Sequence, residues 1–321
     1  MELVTGPPQL HATDIVVVAN GPGQPLSATA FNLLASNSGL LGALRVTISL
    51  NGQPTNLAMQ LTPDGTFAFP GGALRPEVWL LSYLPLQEGR NQLEYVLDGS
   101  SGGGVSADLW LWDATDKVVI FDIDGTITKS DVRGLVANQL QEATSFLSNA
   151  FNSLSSEENA VSAALDTDYI HDGVVEAAAQ IVNAGYRVLY LTARPITMAD
   201  KTRQFLASLG RQQQGLAMPP GPLVTQPVPT MKALAAKHDQ FKSGVLAHLA
   251  GILDPRGFAA GFGNTDTDVL AYAATGVPHT HIFVLDKSSR LRIHSSGQEM
   301  QSYTALLPHI VSLFPRLRPR A

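Results

Sequence analysis

The sequence predicts an antiparallel β-region followed by an α/β domain with a parallel sheet. The chain has 321 residues, which is more than one compact domain usually needs. Short alternating runs separated by Gly, Pro and Asn turns fill residues 14–115 and are typical of a β-sandwich. From residue 116 onward, nearly continuous apolar runs alternate with helical stretches, which predicts a parallel sheet with helices on both faces. We therefore place the domains at 1–115 and 116–321.

The strands of the first region follow from period-two patterns. The run "LRVTISLNGQP" places apolar residues at every second position and ends in the turn pair Asn51 and Gly52. In the run "NLAMQLTPDGTFAFP", apolar and polar residues alternate on both sides of a Pro-Asp-Gly turn. The runs "NQLEYVL" and "ADLWLW" continue this alternating pattern. Nothing here indicates catalysis, and we interpret Trp79, Trp110 and Trp112 as core or interface aromatics.

The strands of the second region are the apolar runs "KVVIFD", "YRVLYLT", "GFAAGFGN" and "HIFVLD". The stretches "DGVVEAAAQIVNAG" and "TMADKTRQFLASLG" between them have the length and pattern of covering helices. In sheets of this kind, ligands bind beyond the carboxyl ends of the strands. Functional residues are therefore expected directly after each apolar run.

Composition excludes several classes of protein. The formal net charge is −6, which argues against a nucleic-acid binder with a large basic face. The absence of cysteine excludes disulfides and thiolate chemistry. We find no apolar run long enough to span a membrane, and no basic segment followed by an apolar one that would indicate a secretory signal.

The stretch "VVIFDIDGTITKSD" carries the strongest chemical signal. A buried strand delivers Asp122 at its carboxyl end, Asp124 follows two residues later, and Gly125 permits the chain to turn away. Such a carboxylate can attack phosphorus, the second can serve as general acid and base, and the pair favours a hard cation such as Mg²⁺. The alternative is a loop with two surface acids.

Three later segments favour phosphoryl transfer over that alternative. "YLTAR" places Thr192 at the end of the next strand, where its hydroxyl and backbone N–H are suited to a phosphate oxygen. "DQFKSGVL" offers Lys242 as a point charge for phosphate, although taken by itself the surface-lysine interpretation is favoured. "GFGNTDTDVLAY" adds Asn264, Asp266 and Asp268 after another strand, as oxygen donors able to complete a cation site.

Taken together, D-x-D-G-T, Thr, Lys and G-N-x-x-x-D resemble the haloacid-dehalogenase superfamily. More narrowly, "GYRVLYLTARPITMADKTRQFL" and "AAGFGNTDTDVLAYAATGVP" resemble the lipin phosphatidate phosphatases, and "GLLGALRVTISLNGQPTNLAMQLTPDGTFAF" resembles their N-terminal region. The resemblance implies a haloacid-dehalogenase-like Rossmann-type domain preceded by an immunoglobulin-like β-sandwich. It covers nearly the whole chain.

The resemblance also implies a Mg²⁺-dependent conversion of phosphatidate to diacylglycerol and phosphate. By position, Asp122 is the nucleophile and Asp124 the general acid and base. The residues implied to bind phosphate are Thr126, Thr192 and Lys242. The residues implied to hold the metal are Asp122, Asp124, Asn264 and Asp268. Asp266 falls where the family usually has no acid, and we treat it as a bystander.

The implied setting is cytoplasmic, with transient peripheral contact to membranes (the endoplasmic reticulum in a eukaryotic cell), phosphatidate as partner and no nucleic acid. Two other function classes stay open. One is a non-catalytic phosphatidate sensor, which the presence of both Asp122 and Asp124 disfavours. The other is a related phosphatase of soluble phosphoesters, against which the main argument is the resemblance itself.

The chain departs from the family pattern in three places. Thr265 stands where the G-N motif usually has arginine. The docking helix that usually begins a lipin is not expected in "MELVTGPPQLHATD", because of its paired prolines. An insertion at 141–167 has an apolar helical face, made of Phe146, Leu147, Ala150, Phe151 and Leu154. It either packs on the catalytic domain, which we favour, or dips into the membrane.

Two further residues have open interpretations. His171 in "DYIHDGV" lies at a helix start, where hydrogen bonding to the helix end is favoured over a reach into the active site. Arg194 is suited equally to a head group or to holding its own loop.

Overall fold

The computed structural model describes residues 9–36, 44–99, 104–129, 170–209, 216–228 and 238–318. The insertion at 141–167, with its proposed membrane face, lies outside the described residues, as do the paired prolines of the N-terminal stretch.

The strands are β1 Gln9–Ala12, β2 Ile15–Ala19, β3 Ser27–Ala28, β4 Leu33–Ser36, β5 Arg45–Leu50, β6 Gln53–Leu61, β7 Phe67–Ala68, β8 Gly89–Leu97, β9 Gly104–Asp113, β10 Val118–Phe121, β11 Arg187–Pro195, β12 Leu223–Gln226, β13 Phe258–Gly263, β14 Ile282–Leu285, β15 Leu291–Ile293 and β16 Glu299–Met300.

The helices are α1 Val78–Ser82, α2 Val174–Asn183, α3 Ala199–Ser208, α4 His238–Ile252, α5 Asp266–Ala274, α6 Tyr303–Leu306 and α7 Ile310–Leu313. Short 3-10 turns lie at Pro70–Gly72, Ile196–Met198, His279–His281 and Leu307–His309. In the part of the chain that the structure describes, no helix combines the length and the apolar character needed to cross a membrane.

These elements form two compact units that interleave along the chain. The first unit comprises Met1–Asp116, Ala193–Asp200 and Gly221–Pro255. The second comprises Lys117–Thr192, Lys201–Pro220 and Arg256–Ala321. The domain boundary at 115/116 stays a prediction, and each unit is described separately below.

The first unit is built on a seven-stranded sheet in the order β3-β2-β9-β8-β5-β6-β7, with a two-stranded sheet of β1 and β4. Its pairings are antiparallel apart from β2 with β9. The predicted turn between β5 and β6 is confirmed, since Asn51 and Gly52 have φ of 50° and 74°, as a two-residue hairpin turn of type I′ requires. An immunoglobulin-like arrangement of these sheets stays a prediction.

Two buried polar residues connect the later segments of the first unit to its β-region. Thr13 donates its hydroxyl to the carbonyl of Leu223 at 2.9 Å. The carboxylate of Asp14 accepts the amide of Leu223 at 2.8 Å and that of Asp108 at 3.0 Å. These bonds explain why strand β12 belongs to this unit, although it is more than 200 residues away in sequence from Thr13.

The three tryptophans of the first unit differ in burial. Trp112 and Trp110 are 1% and 8% exposed, as expected of core aromatics. Trp79 is 56% exposed and its ring meets that of Tyr83 edge-on, with centroids 6.2 Å apart.

The second unit contains the predicted parallel sheet. Within this unit the order is β11-β10-β13-β14-β15-β16. In this order, the first three pairs of neighbouring strands are parallel and the last two pairs are antiparallel. All four residues of β10 are fully buried, so both faces of this strand are covered, as its continuous apolar sequence predicts.

Aromatic stacking fixes neighbouring strands of this sheet close to their carboxyl ends. Phe262 on β13 stacks on Phe121 of β10 and on Phe283 of β14, each with centroids 4.6 Å apart. These ring contacts therefore join β10, β13 and β14 side by side beneath the loops that follow β10 and β13.

Candidate active site

Asp122 and Asp124 lie where strand β10 ends. The amide of Asp122 donates to the carbonyl of Phe262 at 3.0 Å, so the first acid is still held by the sheet. Asp122 is 2% exposed and Asp124 is 9% exposed. Gly125 then turns the chain with φ of 80°, a left-handed conformation that favours glycine. Two nearly buried carboxyl groups thus lie two residues apart at the sheet edge, as predicted.

Threonine hydroxyls contact both acids. Thr126 donates to Oδ2 of Asp122 at 3.2 Å, and Thr192 on β11 donates to Oδ2 of Asp124 at 3.1 Å. Both threonines are fully buried. The structure therefore brings together four of the residues singled out in the sequence, because parallel strands end at the same edge.

The loop carrying the acids is closed by its own backbone. The carbonyl of Ile123 accepts the amides of Thr126, Ile127 and Thr128 at 3.3, 2.9 and 3.0 Å. The hydroxyl of Thr128 also donates to this carbonyl at 3.2 Å and accepts the amide of Gly125 at 3.3 Å. The positions of the acids are thus set by a compact turn rather than by a long loop.

Asn264 follows strand β13 and lies against this turn. A Cβ atom added to Gly125 would fall 2.0 Å from Nδ2 of Asn264, so only glycine permits this close approach. Oδ1 of Asn264 is buried and accepts no hydrogen bond from the described residues. An orphaned buried amide oxygen beside two carboxyl groups is a feature that a bound cation would satisfy.

Asp268 is fully buried and holds the Asn264 loop. Its Oδ2 accepts the amides of Asn264 and Thr265 at 3.2 and 3.1 Å and the hydroxyl of Thr265 at 2.7 Å. Thr265 in turn caps the amide of Asp268, which completes a capping box at the start of α5. Thr265 therefore holds this loop in the place where the family usually has arginine. A role of Asp268 as metal ligand stays a prediction.

The remaining sequence candidates are Lys242, Arg194 and Asp266. Lys242 is 5% exposed on helix α4 and Arg194 is 2% exposed on β11, and both belong to the first unit. A contact of Lys242 with phosphate therefore stays a prediction. Asp266 is exposed at the start of α5.

The donors on these loops fit a hard cation such as Mg²⁺. Within the described ranges, no cluster of three or more His, Asp or Glu residues is arranged to hold a metal ion. The candidate set is instead the Asp122 carboxylate, the Asp124 backbone carbonyl and the Asn264 amide oxygen. These are oxygen donors of the kind that Mg²⁺ prefers.

Two residues support the acid-bearing turn from later parts of the chain. Tyr303 is fully buried and donates to the carbonyl of Thr126 at 3.2 Å. Burial, and then the charge of Asp122, raise the pKa of this phenol well above its ordinary value. His171 is also fully buried, and its Nε2 lies 3.4 Å from the carbonyl of Gly125. The sequence contained no signal for Tyr303. The imidazole of His171 contacts the acid-bearing turn, whereas its sequence position favoured hydrogen bonding to the helix end.

A cavity of about 370 Å³ opens beside Gly125 and Asn264. Its charged lining residues are Lys129, Asp266, Asp286, Lys287, Arg290, Arg292 and Glu299. Arg290 is paired with Asp286 at 2.8 Å and with Glu299 at 3.7 Å. The cavity is therefore polar and lies beside the turn that carries Asp122 and Asp124.

Comparison with known proteins gives consistent relatives. The chain is 34% identical to Nuclear elongation and deformation protein 1 of Schizosaccharomyces pombe, over 66% of this chain and 30% of that protein. It is 31% identical to Phosphatidic acid phosphohydrolase 1 of Saccharomyces cerevisiae, over 74% and 26%. It is 32% identical to human Phosphatidate phosphatase LPIN3, over 72% and 25%. The chain thus spans less than a third of the length of these relatives.

A solved structure of phosphoserine phosphatase in its apo form matches with a TM-score of 0.29 and 15% identity, over 50% of this chain and 84% of that one. This score is too low to establish a shared fold. The family model described as LNS2 (Lipin/Ned1/Smp2) matches residues 73–315, which is well over half of the chain and includes each of the acids above. The chain therefore belongs to the lipin family.

Proposed function

We propose that this protein is a phosphatidate phosphatase, which hydrolyses phosphatidate to diacylglycerol and phosphate. Membership of the lipin family and relatives named as phosphatidate phosphatases support the proposal. The observation that carries it is the pair Asp122 and Asp124, nearly buried at the end of β10 with a threonine hydroxyl on each.

Asp122 is the nucleophile in this proposal. Its carboxylate attacks phosphorus, the bond from phosphorus to the glycerol oxygen breaks, and an aspartyl-phosphate forms. Asp124 donates a proton to the departing oxygen, which leaves as diacylglycerol. Asp124 then accepts a proton from water, which attacks the aspartyl-phosphate and releases phosphate. The burial of both acids limits competing solvent.

The negative charge that spreads over the phosphoryl oxygens must be neutralised. The hydroxyls of Thr126 and Thr192 lie within 3.2 Å of the two acids and can rotate toward phosphate. Lys242 supplies a positive charge in this proposal. Mg²⁺, held by Asp122, the Asp124 carbonyl and Asn264, would supply further charge neutralisation when bound. The family resemblance implies Asp268 as a further ligand.

Two alternatives make different predictions for the same residues. A non-catalytic phosphatidate sensor needs no nucleophile, and the retention of both Asp122 and Asp124 in a buried turn favours catalysis. A phosphatase of soluble phosphoesters would use the same acids. The relatives named as phosphatidate phosphatases favour the lipid.

Phosphatidate resides in bilayers, so the proposal includes transient peripheral contact with a membrane, in a eukaryotic cell that of the endoplasmic reticulum, reached from the cytoplasm. It also includes an immunoglobulin-like β-sandwich as the domain before the catalytic one. The two-sheet β-region of the first unit is compatible with this assignment.

The test is phosphate release from phosphatidate in mixed detergent micelles, compared with release from a soluble phosphoester such as glycerol 3-phosphate. We expect turnover of the lipid to exceed that of the soluble ester and to fall to background in excess EDTA. Equal turnover of both substrates would favour the soluble phosphatase. Binding of phosphatidate vesicles without any phosphate release would favour the sensor, and full turnover in EDTA would remove the metal from the mechanism.

A further inference from the structure

His171 connects two loops at the sheet edge of the second unit. The residue lies in the turn before α2, and its side chain is fully buried. Its backbone amide donates to the carbonyl of Ile127 at 3.0 Å, and Ile170 bridges Thr128. The main chain of this segment is therefore already tied to the far end of the acid-bearing turn, which leaves the imidazole available for another role.

The imidazole contacts a different loop through each nitrogen. Nδ1 lies 2.9 Å from the hydroxyl of Ser289, and Nε2 lies 3.4 Å from the carbonyl of Gly125. A carbonyl can only accept, so Nε2 must carry the proton, and in a neutral ring Nδ1 then accepts from Ser289. Burial lowers the pKa of His171. This effect is larger than the rise in pKa that the hydrogen bond to the Gly125 carbonyl causes. A neutral ring with one defined tautomer satisfies both contacts.

The Gly125 carbonyl is a sensitive point of the acid-bearing turn. It shares a peptide group with the amide of Thr126, which donates to the carbonyl of Ile123 at 3.3 Å. Both bonds to this peptide are long and therefore weak. Glycine also allows a wide range of backbone angles. Loss of one partner would let the peptide reorient and displace Thr126, whose hydroxyl lies on Asp122.

Ser289 provides a fixed anchor for the other side of the ring. It lies in the tight turn between β14 and β15, with φ of 67°. Asp286 closes this turn by accepting the amides of Ser288 and Arg290 at 2.8 and 3.0 Å. A non-glycine residue in the left-handed region is uncommon, and at this position the hydroxyl makes a contact that glycine could not.

We propose that His171 is a positioning residue, which holds the Gly125 peptide in place by bracing it against Ser289 and so fixes Thr126 beside the nucleophile Asp122. This inference rests on the proposed function for its catalytic consequence. It goes beyond that function because it assigns to a buried histidine the orientation of the turn that carries both acids.

The experiment compares His171→Gln, His171→Asn and His171→Ala in the full chain. The glutamine amide can place a donor near Nε2 and keep the Gly125 contact, whereas asparagine reaches only toward Ser289. We expect kcat for phosphatidate to fall about tenfold in the Ala and Asn variants and to recover to within about threefold in the Gln variant, with KM nearly constant. A residue needed only for folding would not produce this order.

Hydrogen exchange gives a readout that does not depend on the reaction. Amides of residues 124–128 should exchange faster in His171→Ala than in His171→Gln, while strand β13 is unchanged. If wild type released no more phosphate than Asp122→Asn, the proposed function would fail, and exchange alone would decide the inference. Equal exchange in the Ala and Gln variants, or kcat of His171→Ala within about twofold of wild type, overturns it.

Ser289→Ala covers the case in which the His171 variants do not fold. It removes the anchor without touching the ring, and Ser288→Ala is the matched control because it removes a neighbouring hydroxyl of the same turn. We expect Ser289→Ala to lower kcat about threefold, with faster exchange at 124–128, and Ser288→Ala to leave both unchanged. Identical behaviour of the two serine variants overturns the proposal.

Discussion

The turn after β10 and the turn after β13 present aspartates at the same edge of the parallel sheet but hold them differently. Asp122 and Asp124 receive hydrogen bonds from the hydroxyls of threonines. Asp268 is bonded at one oxygen by two backbone amides and the hydroxyl of its own loop. All three aspartates are nearly buried, so their exposure does not distinguish them.

The two turns differ in whether the groups that donate hydrogen bonds to the aspartates can be reoriented. A hydroxyl rotates about its C–O bond and can be redirected to a substrate oxygen at little cost. A backbone amide is fixed by the turn it belongs to, so a carboxylate bonded to such amides holds that turn in shape. We infer that the first turn is built for chemistry and that Asp268 mainly keeps Asn264 in place.

Removing the charge in the first turn should have the largest effect on activity. We expect Asp122→Asn and Asp124→Asn each to lower phosphatidate turnover by about a thousandfold or more, because nucleophile and proton donor are lost. The melting temperature should change little, since asparagine still accepts from the threonines. The control is Asp266→Asn, an exposed acid nearby. Retention of more than about a tenth of turnover in Asp122→Asn would exclude covalent catalysis there.

Removing the carboxylate in the second turn should mainly lower stability. Asp268→Ala leaves the amides of Asn264 and Thr265 without their acceptor and removes one half of the capping box, so we expect a loss of about 2–4 kcal/mol in the free energy of unfolding. Urea denaturation measures this, with Asp266→Ala as the control at the same helix end. If Asp268→Ala kept its stability and lost activity as completely as Asp122→Asn, Asp268 would be a metal ligand, as the family resemblance implies.

The contact between the two turns gives a third test. Gly125→Ala adds a Cβ at φ of 80° that would fall 2.0 Å from Asn264, whereas Gly52→Ala adds one at φ of 74° with nothing within 4 Å. Both variants share the conformational cost of about 1 kcal/mol. We expect Gly125→Ala to lose about 1–3 kcal/mol more and to lose activity, and Gly52→Ala to keep it. Equal destabilisation would show that Asn264 moves aside freely.

Much of the sheet edge could be predicted because its signals are local. The runs before Asp122, Thr192 and Asn264 are continuously apolar, and a strand covered on both faces requires this pattern wherever it occurs. The position of each polar residue directly after its run then follows from the parallel arrangement. The structure confirmed the strands, and the hydroxyl of Thr192 lies 3.1 Å from the carboxylate of Asp124. The contact of Thr192 with phosphate stays a prediction.

The supporting contacts could not be predicted because they join distant parts of the chain. Tyr303 meets Thr126 across 177 positions and His171 meets Ser289 across 118. Neither partner carries a periodic pattern that indicates the other. The membership of strand β12 in the first unit could not be predicted for the same reason. It depends on hydrogen bonds with Thr13 and Asp14 that no local sequence signal encodes.

The smallest expected effect concerns Thr265, where the family usually has arginine. Its hydroxyl accepts the amide of Asp268 at 3.2 Å and donates to the carboxylate at 2.7 Å. Thr265→Val keeps the shape and removes both bonds, so we expect a loss of about 1 kcal/mol, whereas Thr265→Ser should stay near wild type. Thr267→Val is the matched control, because its hydroxyl meets Thr265 at 2.9 Å but is not part of the cap. Since Asp268 would still accept two amides, turnover should fall only a few fold in Thr265→Val. A collapse of turnover comparable to that of Asp122→Asn would mean that the second turn takes part in the chemistry directly, and the contrast between the two turns would be wrong.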